Sequence, residues 1–341
     1  MRTKIILRMV VCCLAFTLLF AFTGAIAADI EAAKREGKVI FYTSTDSKTA
    51  ERIGDMFTEK YGIDVEIYRT GTGGVISKIE MELRAGKVAV DVVQHSDPTT
   101  FEDWKARNLL HGYSPEGIDK FHEFAVDPDG YWVALRSNLS VIAYNPNLVA
   151  KEDIPRSWRD ALDPKWKGRL LMSSPGYAGS TRMWAAEVVK RYGWDYFRQL
   201  AKNNPYIGKS HSGLRTLLIA GEYDVISPMN IYHVFQTVYK EPESPIAVSY
   251  PEEGVLFIAG PAGIFKNSPY PNAAELFMDF LCSEEVQKVF ADRAYYPGRK
   301  GVLPLAMPRL VDLKLLIPDY EWIGAHKQEL IEKFDEIMGG K

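Results

Sequence analysis

Apolar residues fall into short unbroken runs that alternate with amphipathic stretches, a pattern that predicts strands and helices in turn. Residues 39–42 (Val39, Ile40, Phe41, Tyr42) are rich in β-formers and end in the polar turn Thr43, Ser44, Thr45 and Asp46. Ala50, Ile53, Met56 and Phe57 then recur at helical spacing. A second strand over 64–68 leads into the loop 69–74 (RTGTGG) and a helix marked by Val75, Ile76, Ile79 and Leu83. A third strand over 88–93 ends at Gln94, His95, Ser96 and Asp97, ahead of an amphipathic stretch over 101–110. This β-α-β-α-β-α order predicts a largely parallel sheet with helices on both faces. In such sheets ligands gather where strand carboxyl ends meet helix N-termini, here 42–46, 69–74 and 94–97.

The rhythm then breaks. Residues 132–135 and 139–145 read as two extended pieces, the second stopped by Pro146, and 255–265 is extended again. Between them lies a block with its own α/β signals: strands over 169–173 and 223–226, helices over 180–192, 194–201, 213–220 and 232–238. A second α/β lobe is thus inserted into the first. Two extended crossings between two lobes are the layout of a hinged clamshell that closes on a ligand.

The first 27 residues are a different kind of sequence. Arg2, Lys4 and Arg8 precede an apolar run over 9–22, and Ala25 and Ala27 provide the small residues a signal peptidase accepts, which predicts export with cleavage near Ala27. The run is shorter than the ~20 residues a membrane-spanning helix needs. Cys12 and Cys13 lie inside it without a lipoprotein pattern. Cleavage removes three cations and takes the formal net charge from -3 to -6. That balance gives no signal for a nucleic-acid partner or a polybasic membrane anchor. Only Cys282 of the 3 cysteines survives, within an apolar helical pattern, so no internal disulfide or cysteine-rich zinc site is available and an inert buried thiol is expected.

Several segments, in this order and spacing, resemble the extracellular solute-binding proteins of ABC importers, in the family that includes ferric-ion-binding proteins and binders of small organic anions. They are 57–67 (FTEKYGIDVEI), 84–93 (RAGKVAVDVV), 141–146 (VIAYNP), 163–170 (DPKWKGRL), 220–225 (AGEYDV) and 273–287 (AAELFMDFLCSEEVQ), followed by Tyr296 and Pro297. The resemblance implies the α/β, two-lobed, type II periplasmic-binding-protein fold. Each lobe would be a mixed, mostly parallel sheet flanked by helices, with two hinge crossings. The expected division is a signal peptide over 1–27, one lobe from 28–134 plus 258–305, and the other from 135–257 plus 306–341. It further implies a periplasmic monomer that hands a small molecule to an ATP-driven inner-membrane permease, without a cofactor, nucleic acid or catalysis. A module reporting to a membrane sensor kinase would share the same cleft.

The iron-binding branch grips its metal with adjacent tyrosines just after the strand following the Gly-Glu turn, phenolate being a suitable ligand for a hard ferric ion. Here Asn230 and Ile231 take those places, with Tyr232 and His233 nearby, and the first-strand turn offers Thr45 and Asp46 instead of a histidine. Asp46, Tyr232 and His233 are therefore the metal-ligand set only on the alternative iron reading. Tyr295 and Tyr296 fall where the family has a Tyr-Pro packing element, and a structural role is expected of them.

For a small anion, such as a phosphate ester, phosphonate or carboxylate, the candidates are loops whose backbone N–H groups open helices. These are Ser44 and Thr45; Thr72, Gly73 and Gly74; Gly179, Ser180 and Thr181; and His211 and Ser212. Arg136 near the first crossing can pair with an anion bidentately. His95 and Ser96 close the third strand, where contact with ligand competes with a capping or core role for the histidine, and Asn230 completes the candidate set. Trp132, Tyr144 and Tyr177 are possible cleft aromatics, while Arg182 reads as a helix-surface residue. No Gly-x-Ser-x-Gly elbow, His-Glu-x-x-His helix or metal-spaced histidines occur, and an enzyme is not expected.

Overall fold

The computed structural model describes residues 28–339 of the chain. The expected signal peptide and its cleavage near Ala27 lie outside the described residues. The strands are β1 (Lys38–Thr43), β2 (Asp64–Arg69), β3 (Val92–Gln94), β4 (Leu110–His111), β5 (Val133–Tyr144), β6 (Leu170–Ser173), β7 (Tyr206–Gly208), β8 (Val225–Asn230), β9 (Ala247–Ser249), β10 (Val255–Phe265), β11 (Tyr296–Pro297) and β12 (Leu315–Leu316). The helices are α1 (Ile30–Glu36), α2 (Ser47–Tyr61), α3 (Thr72–Arg84), α4 (Pro98–Ala106), α5 (Gly179–Tyr192), α6 (Asp195–Ala201), α7 (His211–Ile219), α8 (Ile231–Lys240), α9 (Pro271–Cys282), α10 (Glu284–Ala291), α11 (Tyr320–Ala325) and α12 (Lys327–Met338).

Two α/β lobes share a sheet whose main order is β2-β1-β3-β10-β5-β8-β6-β7. In the first lobe β1 runs parallel to β2 and β3, and β10 joins β3 antiparallel. In the second, β6 runs parallel to β7 and β8, and β5 joins β8 antiparallel. The long strands β5 and β10 pair with each other from Val133↔Ala262 to Ser140↔Leu256, and the register shifts between Gly260 and Pro261. They are the two crossings. The structure thereby makes one continuous strand of the two pieces expected over 132–145. Arg136, Ser137 and Asn138, whose polarity suggests an interruption, are ladder residues buried with the rest of β5.

A second difference concerns β3. The run from Val88 reads as strand, but regular pairing starts only at Val92, because the Asp91 carboxylate accepts the Ile40 N–H at 2.6 Å. The same carboxylate accepts from Ser268 Oγ and the Tyr270 N–H, tying the β3 lead-in to the start of α9.

Each lobe has its own apolar centre. In the first, Phe41, Phe57, Phe277 and Phe280 pack edge to face or tilted between the sheet, α2 and α9. In the second, Trp158, Trp184, Tyr196 and Phe197 cluster under α5 and α6, with Phe334 of α12 against Phe197. Full burial of each large side chain contributes about 1.5–3 kcal/mol, so the lobes need no disulfide. Cys282 is free and buried, and burial pushes its thiol up, as befits an inert core residue.

The C-terminal segment belongs to neither lobe alone. β12 pairs with β10 at Val255 and Leu256, α11 packs on α4 with Gly324 against Thr99, and α12 packs on α5 and α6. Gly298, just after β11, is bonded to both sides: its N–H donates to Leu135 O and its carbonyl accepts from the His122 N–H. A Cβ there would meet the Ala134 carbonyl oxygen and the Phe121 ring. Gly298→Ala is therefore expected to cost about 3 kcal/mol, since backbone cannot rotate away. Thermal unfolding should show the melting temperature down by roughly 5 °C or more, while Gly73→Ala, in open space, leaves it unchanged.

Candidate ligand-binding cleft

The crossing strands deliver the centre of the site. Arg136 on β5 is only 4% exposed, with its guanidinium carbon 4.4 Å above the Tyr295 ring centre. Its Nε donates to Thr45 Oγ1 at 3.4 Å. The Thr43 and Thr45 hydroxyls each donate to Gln94 Oε1 at 2.8 Å, which locks the β1 and β3 ends together. Gly260 lets β10 approach this point: a Cβ there would lie 2.7 Å from Arg136 O and 3.4 Å from Gln94 Nε2. Nearby arginines are neutralised, Arg182 by Asp97 and Arg293 by Asp46. Arg136 has no carboxylate partner among the described residues, and its terminal nitrogens make no hydrogen bond to protein there.

The opposite wall comes from the second lobe, where β6, β7 and β8 run towards the start of α5, α7 and α8. Tyr232, in the first turn of α8, faces Tyr295 with ring centres 4.7 Å apart and stacks on His233 at 4.2 Å. His233 lies 6.2 Å from His211, whose Nε2 is 3.3 Å from both Ser180 Oγ and Thr181 Oγ1. Asn138 Nδ2 donates to Asn230 Oδ1 at 2.7 Å, joining β5 to the start of α8. The buried atoms Gln94 Nε2, Ser137 Oγ, Asn138 Oδ1 and His211 Nδ1 find no protein partner. Buried polar groups are nearly always paired, so this concentration of free ones marks a place for a polar guest.

The wall is uncharged. Burial lowers His211 to about 4, and burial with His211 and Arg215 nearby lowers His233 to about 3, so both are neutral imidazoles at pH 7. Burial likewise pushes the Tyr232 and Tyr295 phenols up, leaving O–H groups. The arrangement offers the Arg136 guanidinium, neutral donors and acceptors, and N–H groups at helix starts, which favour an anion.

The structure thus brings Thr45, Arg136, Gly179, Ser180, Thr181, His211, Asn230, Tyr232 and His233 around one cleft. Ser44 adjoins it through its N–H to Gln94 O, and the Ser96 carbonyl lies against Gly179 from the other lobe. Other expected residues sit elsewhere. His95 is wholly buried against Phe101 and Trp104, its Nδ1 accepting the Asp97 N–H, so it braces the β3–α4 turn. Ser212 is exposed and shares a hydrogen bond with Ser210. Thr72, Gly73 and Gly74 open α3; that loop is tied to the cleft loop by Arg69 Nε to Thr45 O and Thr70 N to Thr43 O.

Asp46 serves as the N-cap of α2, accepting from the Thr49 N–H and hydroxyl, so its carboxylate is committed to the helix. Trp132 donates to Glu102, Tyr144 ends β5 far from Arg136, and Tyr177 is 60% exposed. Arg182 is a correction in the other direction: expected on the surface, it is 5% exposed and ion-paired. Gln94, within the strand end expected to gather ligand, Tyr295, of which a structural role was expected, and Asn138, not singled out in the sequence, all join this network of contacts. Tyr296, beside Tyr295, does pack structurally, its hydroxyl donating to Pro308 O.

These features define a binding protein that closes two lobes on a solute. Residues 89–321 match the bacterial extracellular solute-binding proteins, and the chain belongs to that family, whose members serve ABC importers. The major ferric iron-binding protein of Neisseria meningitidis is 26% identical over 76% of this chain and 80% of its own. The putative 2-aminoethylphosphonate-binding periplasmic protein of Salmonella typhimurium is 24% identical over 73% of this chain and 74% of its own. The periplasmic binding protein AfuA of Actinobacillus pleuropneumoniae, solved with exogenous fructose 6-phosphate, has the same fold. It superposes with a TM-score of 0.77 at 24% identity, covering 89% of this chain and 99% of that one. No helix among the described residues is long and apolar enough to cross a membrane.

The buried histidines, two in the cleft and His95 beside it, give the protein a pH signature. Unfolded histidine titrates near 6.5, whereas His95 and His211 hold off protonation until about 4 and His233 until about 3. Their contribution to stability is fully present above the unfolded value and is lost as pH falls towards the folded ones, because the unfolded chain then binds more protons. The melting temperature is expected to fall between pH 7 and pH 5, and His211→Gln to fall less steeply. Parallel wild-type and His211→Gln profiles would show that His211 is not shielded.

Proposed function

We propose that this protein is the periplasmic receptor of an ABC importer, capturing a small anionic solute, a phosphate ester, phosphonate or carboxylate, and delivering it unaltered to the permease. The observation that carries the reading is Arg136, a buried cation without a counter-charge among the described residues. A buried charge is costly unless paired, and the ligand's anionic group supplies the partner. Thr45, Ser180, Thr181 and the first N–H groups of α5 supply hydrogen bonds, and Asn138, Asn230, Tyr232, His211 and His233 line the remainder.

In this reading the open protein takes the anion on one wall and closes about β5 and β10. The first lobe comprises 28–134 plus 258–305 and the second 135–257 plus 306–341, with α11 reaching back across. The protein works as a monomer, and part of the binding energy drives closure, so the permease distinguishes loaded from empty receptor.

Ferric ion is the competing cargo, and the facing of Tyr232 and Tyr295 is what favours it. Against it, the Arg136 cation stacks on Tyr295, Asn230 is bonded to Asn138, Ile231 is fully buried, and Asp46 is spent as a cap.

Mass spectrometry of small molecules released from the purified protein, together with a visible spectrum, tests the assignment. A bound organic anion and no tyrosinate-to-iron band are expected; a stoichiometric iron band with no anion refutes it. Calorimetry with the identified anion should show Arg136→Met weakened at least 30-fold, matching the roughly 2–5 kcal/mol lost when one partner of a buried pair is removed. Unchanged affinity would take Arg136 out of the site.

A further inference from the structure

Outside the cleft proper, the two lobes meet at a second charged contact. Arg182, in the second turn of α5, donates through Nη2 to Asp97 Oδ2 at 2.6 Å and through Nη1 to Pro175 O. Asp97 starts α4 in the first lobe; its Oδ1 accepts the Thr99 hydroxyl at 2.5 Å, and Lys327 Nζ at the start of α12 stands 3.9 Å from Oδ2. The Asp97 and Arg182 side chains are 1% and 6% exposed, and Arg182 Nε is buried without a partner. One turn earlier, Gly179 lies against the Ser96 carbonyl, where an added Cβ would be 3.5 Å away. The contact therefore joins the end of β3 in one lobe to the ligand-facing start of α5 in the other.

We propose that Asp97 and Arg182 are positioning residues that latch the cleft shut. They touch no ligand and set how much of the receptor is closed. The inference rests on the receptor reading only in needing a cleft that opens.

The physics suits a reversible clasp. A buried ion pair gains attraction at short range but gives up the hydration of both charges, so its net worth is modest. When the lobes part, water restores that hydration and opening is not prohibitive. Attraction is lost steeply with separation once water enters, so the pair favours one closed position over near-closed ones. Burial raises the Asp97 carboxyl, and the Arg182, Thr99, His95 and Lys327 groups around it outweigh that effect, keeping it below its ordinary value and ionised.

The test needs no ligand and so is independent of the cargo. Nitroxide labels on Glu51→Cys in α2 and Lys202→Cys after α6, both exposed positions, report the distance between lobes by electron double resonance, while buried Cys282 stays unlabelled. The ligand-free protein should populate a short distance. Arg182→Met and Asp97→Asn should each lower the closed-to-open ratio at least fivefold, and Arg182→Lys, which keeps the charge, should restore most of it. Unchanged distributions in both disabling variants, or a lysine variant no different from methionine, overturn the proposal. If Arg182→Met fails to fold, the near-isosteric Asp97→Asn carries the test alone.

Discussion

The structure depends on the ladder between β5 and β10. Two lobes with separate aromatic cores are held together by this antiparallel pair, and the same backbone that joins them places Arg136, Ser137 and Asn138 in the interior. A strand paired along its length holds its residues in a fixed register through the ladder hydrogen bonds. Polar side chains carried on it are therefore better placed for recognition than side chains on a free loop would be. The register shift at Gly260 and Pro261 is where the ladder bends to let the β1 and β3 ends reach Arg136.

Around that axis the electrostatics are asymmetric. The imidazoles and phenols of the walls are neutral because burial disfavours charge on both. The second interlobe contact, between Arg182 and Asp97, is self-neutralising. It draws no counter-charge away from Arg136, which stays without a carboxylate partner among the described residues.

Much of this is legible from residue order. The β1 and β3 ends, the start of α5 and the start of α7 stand out by their place after strands, and the structure sets Thr45 against Arg136 and Ser180 and Thr181 against His211. Single positions within those loops were not separable. Ser212 and His211 are adjacent, yet the turn of α7 puts one in solvent and the other in the wall. Tyr295 and Tyr296 are likewise adjacent, yet Tyr295 packs on Arg136 and Tyr232 while Tyr296, the first residue of β11, turns its hydroxyl to Pro308 O. Asp46 looks like a ligand by type and place but is consumed by the α2 cap, a local competition that sequence spacing cannot rank.

Sequence alone determined the lobes, because strand and helix periodicity is a property of neighbouring residues, and it determined that a cleft must lie where strand ends meet helix starts. The tertiary structure decided which groups stay unpaired. Arg136 in its strand and Arg182 on its helix are equally charged and equally buried, yet one finds Asp97 across the lobes and the other finds no counter-charge. That difference arises from distances between segments far apart in the chain, and it is what separates a clasp from a binding site.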